Sequence, residues 1–480
     1  MEQRIEEIRE NSRKASFCVG LTRSSFDEIV DLFFKDAVSD PSFARAMLAA
    51  ISNIVLLNKE LNGYYVQKFG SKFVNLFQED MILCQKDFER LIAEYRLLFL
   101  MLFHIEYIER ERRQIGRILN VGYSNMLSLY SEYGASSLYE RSLIELLKAI
   151  YSFYHFINTE DDFFEEGVGD LFEGVVTVFN RTIVKPGSSS LFSVNSLLKQ
   201  LTSILLLFLT KYQSHITKSI PDFGNYDEFF RNLANILKNH LVLFFSLNSS
   251  SEEIHHLTII LSTLNGIEEV FYKGYVQEHV KESKMEDVVK SSPLLKLGIF
   301  IPKDRNNFVF NRLLSIIFLS SDTSLDRPYS DMKSLMQLKN IILDLYYKFT
   351  SNEDKTVHSI SFLKLFGYEN IISFMEGNDL NLEGVKPEEY LAPDPEFMDN
   401  ETTVLRLSIR SKVFAFDNSD QSGQDPAPMD EKEKEREAEK LFHTFNEMEK
   451  SRAFPNFTNP VREWQQLGKF EELSDLGSED

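Results

Sequence analysis

Apolar residues recur at helical spacing along most of this chain, and that periodicity constrains the fold more than any motif does. Leu197, Leu198, Leu201, Ile204, Leu205, Phe208 and Leu209 form one i, i+3/i+4 stripe. Leu143, Ile144, Leu146, Leu147, Ile150, Tyr151 and Tyr154 form a second. A third runs through Phe230, Leu233, Leu237, Leu241 and Phe244, and a fourth through Met332, Leu335, Leu338, Ile341, Ile342 and Leu345. Alternating β-branched runs bounded by turns are scarce, so the chain reads as all-α. Breakers fall at Val184–Ser190, Ser219–Tyr226, Leu247–Glu253 and Ile301–Asn307. Strong helices return roughly every 40 to 50 residues, the spacing of armadillo and HEAT units. The expected architecture is therefore a degenerate α-solenoid, each helix pair burying its face against its neighbours. A helical bundle of ordinary connectivity would give the same periodicity.

With 480 residues there is enough chain for a large core or a string of such units. Composition shifts from about Ala392, where "APDPEFMDNETT" and "DNSDQSGQDPAPM" concentrate Pro, Asp, Gly and Ser. The expected organisation is a helical body over 1–393, a linker over 394–428, and a C-terminal helix with charged tail over 429–480. In that last segment Asp430 and Glu433 form a capping box behind Pro428. Ala438, Leu441, Phe442, Phe445 and Met448 then line one face. An amphipathic helix needs a surface to cover. Its own body is the simpler choice and a partner the other.

A formal net charge of −21 repels nucleic acid and anionic lipid, and favours a basic protein surface as partner. The two cysteines, Cys18 and Cys84, belong to no CxxC pair, which argues against a disulfide framework or a cysteine-zinc site. "MEQRIEEIRE" has no apolar h-region, so no secretory signal is expected. "YRLLFLMLF" and "SILLLFL" fall short of the roughly 18 apolar residues of a membrane span, so no membrane insertion and a cytosolic site are expected. No phosphate-binding glycine loop, HExxH or GxSxG occurs, so neither covalent catalysis nor a cofactor is expected. His255-His256 behind Glu252-Glu253 reads as a partly exposed helix face rather than a metal site, the nine histidines being scattered. "NTEDDFFEE" (Asn158–Glu166) reads as a helix start capped by Thr159, its acids favouring the helix dipole.

"IERERRQIGR" places Arg110, Arg112, Arg113 and Arg117 within two helical turns of an acidic chain. Arg110, Arg113 and Arg117 share a face by the i, i+3, i+7 rule. Their guanidinium groups suit a partner's carboxylate, including a free C-terminus. The residues themselves favour a plainer reading, a solvated helix end paired with Glu106, Glu109 and Glu111.

At "PAPMDEKEKEREAEKLF" the chain resembles the C-terminal segment of the synembryns, chaperones and guanine-nucleotide exchange factors for heterotrimeric G-protein α subunits. "NPVREWQQLGKFEEL" (Asn459–Leu473) is similar to the fungal branch of that family. "LAAISNIVLLN", "YRLLFLMLF", "SLIELLKAIYSFYHF" and "FLKLFGYENIISFM" resemble family core helices, although Ser152 stands for an Asn and Glu369 for a Gly. The resemblance implies an armadillo/HEAT-like superhelix whose concave face binds the C-terminal helix of a GDP-bound or nucleotide-free Gα. It implies exchange by differential binding, in a cytoplasmic monomer recruited to the plasma membrane through Gα. It makes Arg96, Arg110, Arg113 and Arg117 candidate contacts on the body, and Leu441, Phe442 and Phe445 candidates on the tail. Ser422 and Ser478 suit an acid-directed kinase. A passive α-solenoid scaffold or transport adaptor for another peptide is the alternative.

Overall fold

The computed structural model describes residues 2–37, 40–157, 165–184, 190–219, 226–246, 251–279, 292–298, 300–301, 307–321, 329–350, 355–378, 387–390 and 392–406. Among these residues every regular element is helical and there is no strand, in agreement with the all-α expectation. The body expected as one run to 393 divides into two compact units. One is Met1–Ile236 with Ser262–Val280, the other Leu237–Leu261 with Lys281–Asp480.

The first unit opens with α1 (Glu2–Asn11), α2 (Ala15–Gly20) and α3 (Arg23–Leu32). There follow α4 (Pro41–Leu57), α5 (Lys59–Leu83), α6 (Phe88–Met101), α7 (Ile105–Tyr133) and α8 (Ser137–Phe156). Then come α9 (Glu165–Val184), α10 (Ser196–Lys211) and α11 (Gln213–Ser219). From α3 onward each packs on its second neighbour, which sorts them into two rows. One row is α4, α6, α8 and α10; the other is α3, α5, α7, α9 and α11. Stacked pairs of this kind are the packing of an α-solenoid.

The sequence explains the rows. Every residue of the Leu197–Leu209 stripe is buried on α10, and α8 buries Leu143, Leu146, Leu147, Ile150 and Tyr154. Short polar joints reverse the chain. Asn58 does three jobs at one joint. Its N–H closes α4 onto Ile54 O (2.9 Å), its Oδ1 caps α5 by accepting from Leu61 N (3.1 Å), and its Nδ2 donates to Cys18 O (2.9 Å) at the end of α2. α5 and α7 approach closely because Gly70 lies under Tyr107, where an added Cβ would stand 2.7 Å from the ring.

α6 is buried on nearly all sides, charged residues included. Arg90 Nε lies 2.9 Å from both Asp80 Oδ2 on α5 and Glu94 Oε1, and its Nη2 also holds Asp80. Burial, and then Asp80, pushes Glu94 well above the usual carboxylate range. Glu94 is thereby biased toward its protonated form beside the Arg90–Asp80 pair.

In the second unit, the helices Phe308–Ser321, Tyr329–Phe349 and Lys355–Phe366 meet at Phe310, Tyr346 and Phe366, with ring centroids 5.4 to 6.0 Å apart. Gly367 breaks the chain into the next helix, Tyr368–Gly377, at φ 74°. A Cβ there would meet the Ala392–Pro393 backbone at 2.6 Å.

Residues 394–406, expected as the start of a linker, pack against the helices of this unit. Asp394 N donates to Lys364 O (2.8 Å), and Asp399 N to Asn311 Oδ1 (2.9 Å). Arg312 pairs with Glu401 at 2.5 Å, and Met398 and Thr402 are buried. Pro395 and Asp394 build a capped 3₁₀ turn (Pro395–Phe397) against the body, so their turn chemistry belongs to a packed segment reaching Arg406.

Candidate partner-binding surface

Arg45 at the start of α4 pairs with Asp87 and Glu89 at the start of α6, and Phe88 there meets Tyr139 at the start of α8, so these three helices run the same way and end on one edge. That edge is apolar and exposed. Leu56 and Leu57 end α4, Phe103 and Ile105 flank the turn after α6, and Phe156 ends α8. Leu56, Phe103 and Ile105 are each more than half exposed, a rim unlike the scattered apolar residues of an ordinary surface. At its α8 end Lys211 Nζ sits 3.0, 2.6 and 2.6 Å from the carbonyls of Tyr154, His155 and Ile157. One ammonium thereby caps the helix terminus.

Arg96 belongs to this row. It projects from α6, half-buried, and its Nη2 donates to Glu145 Oε1 on α8 at 3.2 Å; Lys148 reaches the same oxygen at 3.2 Å. Arg110, Arg113 and Arg117 lie in the other row, all exposed on α7. The Arg110 side chain is 60% exposed, pairs with Glu111 at 3.3 Å and lies 5.1 Å over the Tyr107 ring. The structure thus brings the three α7 arginines onto one exposed face and puts Arg96 in the other row. Leu441, Phe442, Phe445, Ser422 and Ser478, with the whole helix expected at Met429–Lys450, lie outside the described residues.

Nothing at the cysteines favours nucleophilic chemistry. Burial pushes both thiols up, and at Cys84 the Asp80 carboxylate adds to it. The second unit holds an apolar cavity of about 320 Å³ lined by Phe300, Tyr346, Phe349, Leu365 and Phe397. The buried Tyr346 hydroxyl has no hydrogen-bond partner among the described residues.

Two buried polar groups lay beyond the sequence reading. One is the Asp80–Arg90–Glu94 triad; the i, i+4 placement of Arg90 and Glu94 inside "FERLIAEYRLLFLM" was its signal. The other corrects the reading of His256 as part of an exposed face. On α13 (Ser251–His279) His255 is exposed, but His256 and Glu253 are buried, together with His240 from α12 (Asp227–Ser246). Burial lowers His240 to about 4, so its imidazole is neutral at physiological pH.

An all-α stack with an exposed apolar rim and a separate cationic face has the features of a protein-binding helical scaffold. Residues 415–469 match the family model described as guanine nucleotide exchange factor synembryn, in agreement with the resemblance read from the same tail. No curated protein and no solved structure matches the chain.

Proposed function

We propose that the chain is a chaperone and non-receptor guanine-nucleotide exchange factor for a heterotrimeric G-protein α subunit. The match of residues 415–469 to the synembryn family carries this reading. The protein performs no covalent step. It binds nucleotide-free, partly opened Gα more tightly than the nucleotide-bound form, so GDP leaves; GTP then restores the closed state and releases the complex. The same preference protects newly made subunits. The apolar rim of α4, α6 and α8 supplies a surface for an amphipathic helix, and the α7 arginines supply a site for carboxylates. The C-terminal segment makes a second contact, so that the pair of contacts binds more tightly than either alone. The protein works as a cytoplasmic monomer, brought to the membrane by Gα.

Purified full-length chain is expected to accelerate GDP release from a cognate Gα and to co-elute with it on gel filtration once nucleotide is removed. A GTP analogue should dissolve that complex. Truncation before Met429 should weaken Gα engagement while the circular-dichroism spectrum of the body persists. A complex indifferent to GTP would identify a passive scaffold instead, and the absence of any complex would overturn the reading.

A further inference from the structure

The buried cluster of His240, Glu253 and His256 plays no part in the exchange mechanism. The side-chain exposures are 0% for both histidines and 3% for the glutamate. Glu253 and His256 stand three residues apart on the first turns of α13 and share a face, while His240 arrives from α12. Nδ1 of His240 lies 2.7 Å from one Glu253 oxygen, and Nδ1 of His256 lies 3.1 Å from the other. A single carboxylate spans two imidazoles whose ring centroids are 5.3 Å apart. One ligating atom from each of the three residues lies within 4.8 Å of the other two. On the far side of His256, Nε2 stands 3.8 Å from Glu252 Oε1. Metal-bound imidazoles commonly turn their second nitrogen to a carboxylate in this way.

We propose that His240, Glu253 and His256 form a structural site for a divalent cation of the zinc class, ligated through both Nδ1 atoms and the Glu253 carboxylate. Two imidazoles and one carboxylate suit Zn²⁺, whereas Mg²⁺ and Ca²⁺ take shells of oxygen. Ligation through Nδ1 requires each ring to carry its proton on Nε2, which at His256 faces Glu252. Burial closes the site to substrate, so the ion is a clasp holding the end of α12 to the start of α13. This inference is independent of the exchange reading.

The full-length chain, stripped with chelator and returned to Zn²⁺, is expected to retain about one ion per chain by elemental analysis. Co²⁺ in its place should give the intense visible bands of low-coordinate, nitrogen-bound cobalt. The double substitution His240→Gln/His256→Gln should lower Zn²⁺ affinity by more than about 100-fold, and Glu252→Gln, at an exposed position, by about tenfold. His255→Ala, on the exposed face beside the site, should leave affinity unchanged. A wild-type chain that retains no stoichiometric ion holds only a hydrogen-bonded knot of the same atoms, and the proposal falls. It falls equally if the double variant, or Glu252→Gln with its fold intact, binds Zn²⁺ as the wild type does.

Discussion

α6 and α7 follow each other in the chain, and both carry arginines among glutamates. Their arginines nonetheless have opposite fates. Arg90 on α6 is 5% exposed and held from two sides by Asp80 and Glu94. The Arg110 side chain on α7 is 60% exposed and pairs with Glu111 at the surface. Nearly every residue of α6 is buried, Arg90 and Glu94 included, so its charges had to be neutralised inside the protein. α7 leaves one face open to solvent, with Arg110, Arg113 and Arg117 exposed on it. Burial, more than residue type, separates an arginine that holds the fold from one left at the surface.

The largest break in this comparison is expected at Arg90. Arg90→Ala leaves Asp80 buried without its cation and should cost about 3–5 kcal/mol, measured by urea unfolding. If the loss is under about 1 kcal/mol, the triad is not a buried ion pair. Gly70→Val drives a side chain into Tyr107 and should cost about 1–3 kcal/mol by the same measurement, through the α5–α7 crossing. Glu94 sharpens the contrast through pH. Its folded-state pKa is raised, so it contributes stability that is fully present below the ordinary glutamate pKa and is lost as pH rises through the folded value. Glu94→Gln, which cannot ionise, should flatten that decline in a series of unfolding curves taken from acid pH upward. Arg113→Glu with Arg117→Glu should change stability by less than about 0.5 kcal/mol per site, yet weaken capture of a Gα C-terminal peptide. Unchanged peptide affinity would make the α7 face a solvated surface, no more.

The helices were legible because burial imposes a 3.6-residue period on every stripe, and the Leu197–Leu209 stripe is buried as its spacing required. The exposed arginines of α7 were legible for the same reason: Arg110, Arg113 and Arg117 share a face. Pairings between helices were not. His240 and Glu253 are 13 residues apart on separate helices, and no period within either one announces that their side chains meet. Residues 394–406 misled because Pro and Asp serve capped turns and linkers alike, and only the bond to Lys364 O and the Arg312–Glu401 pair tell the two apart. The apolar rim follows from the row of parallel helix ends, a property of the stack that no single helix displays.

The two-row packing from α4 to α10 has a consequence in time. Each helix finds its partner two elements upstream, so its contacts are already waiting when it leaves the ribosome. Domains assemble from the N-terminal side during synthesis, and chains rich in short-range contacts fold quickly. The first unit can therefore grow helix by helix, with its leading edge as the one apolar face in need of cover at any moment. A protein proposed to shelter unfinished G-protein subunits would in that case spend little of its own synthesis unfinished.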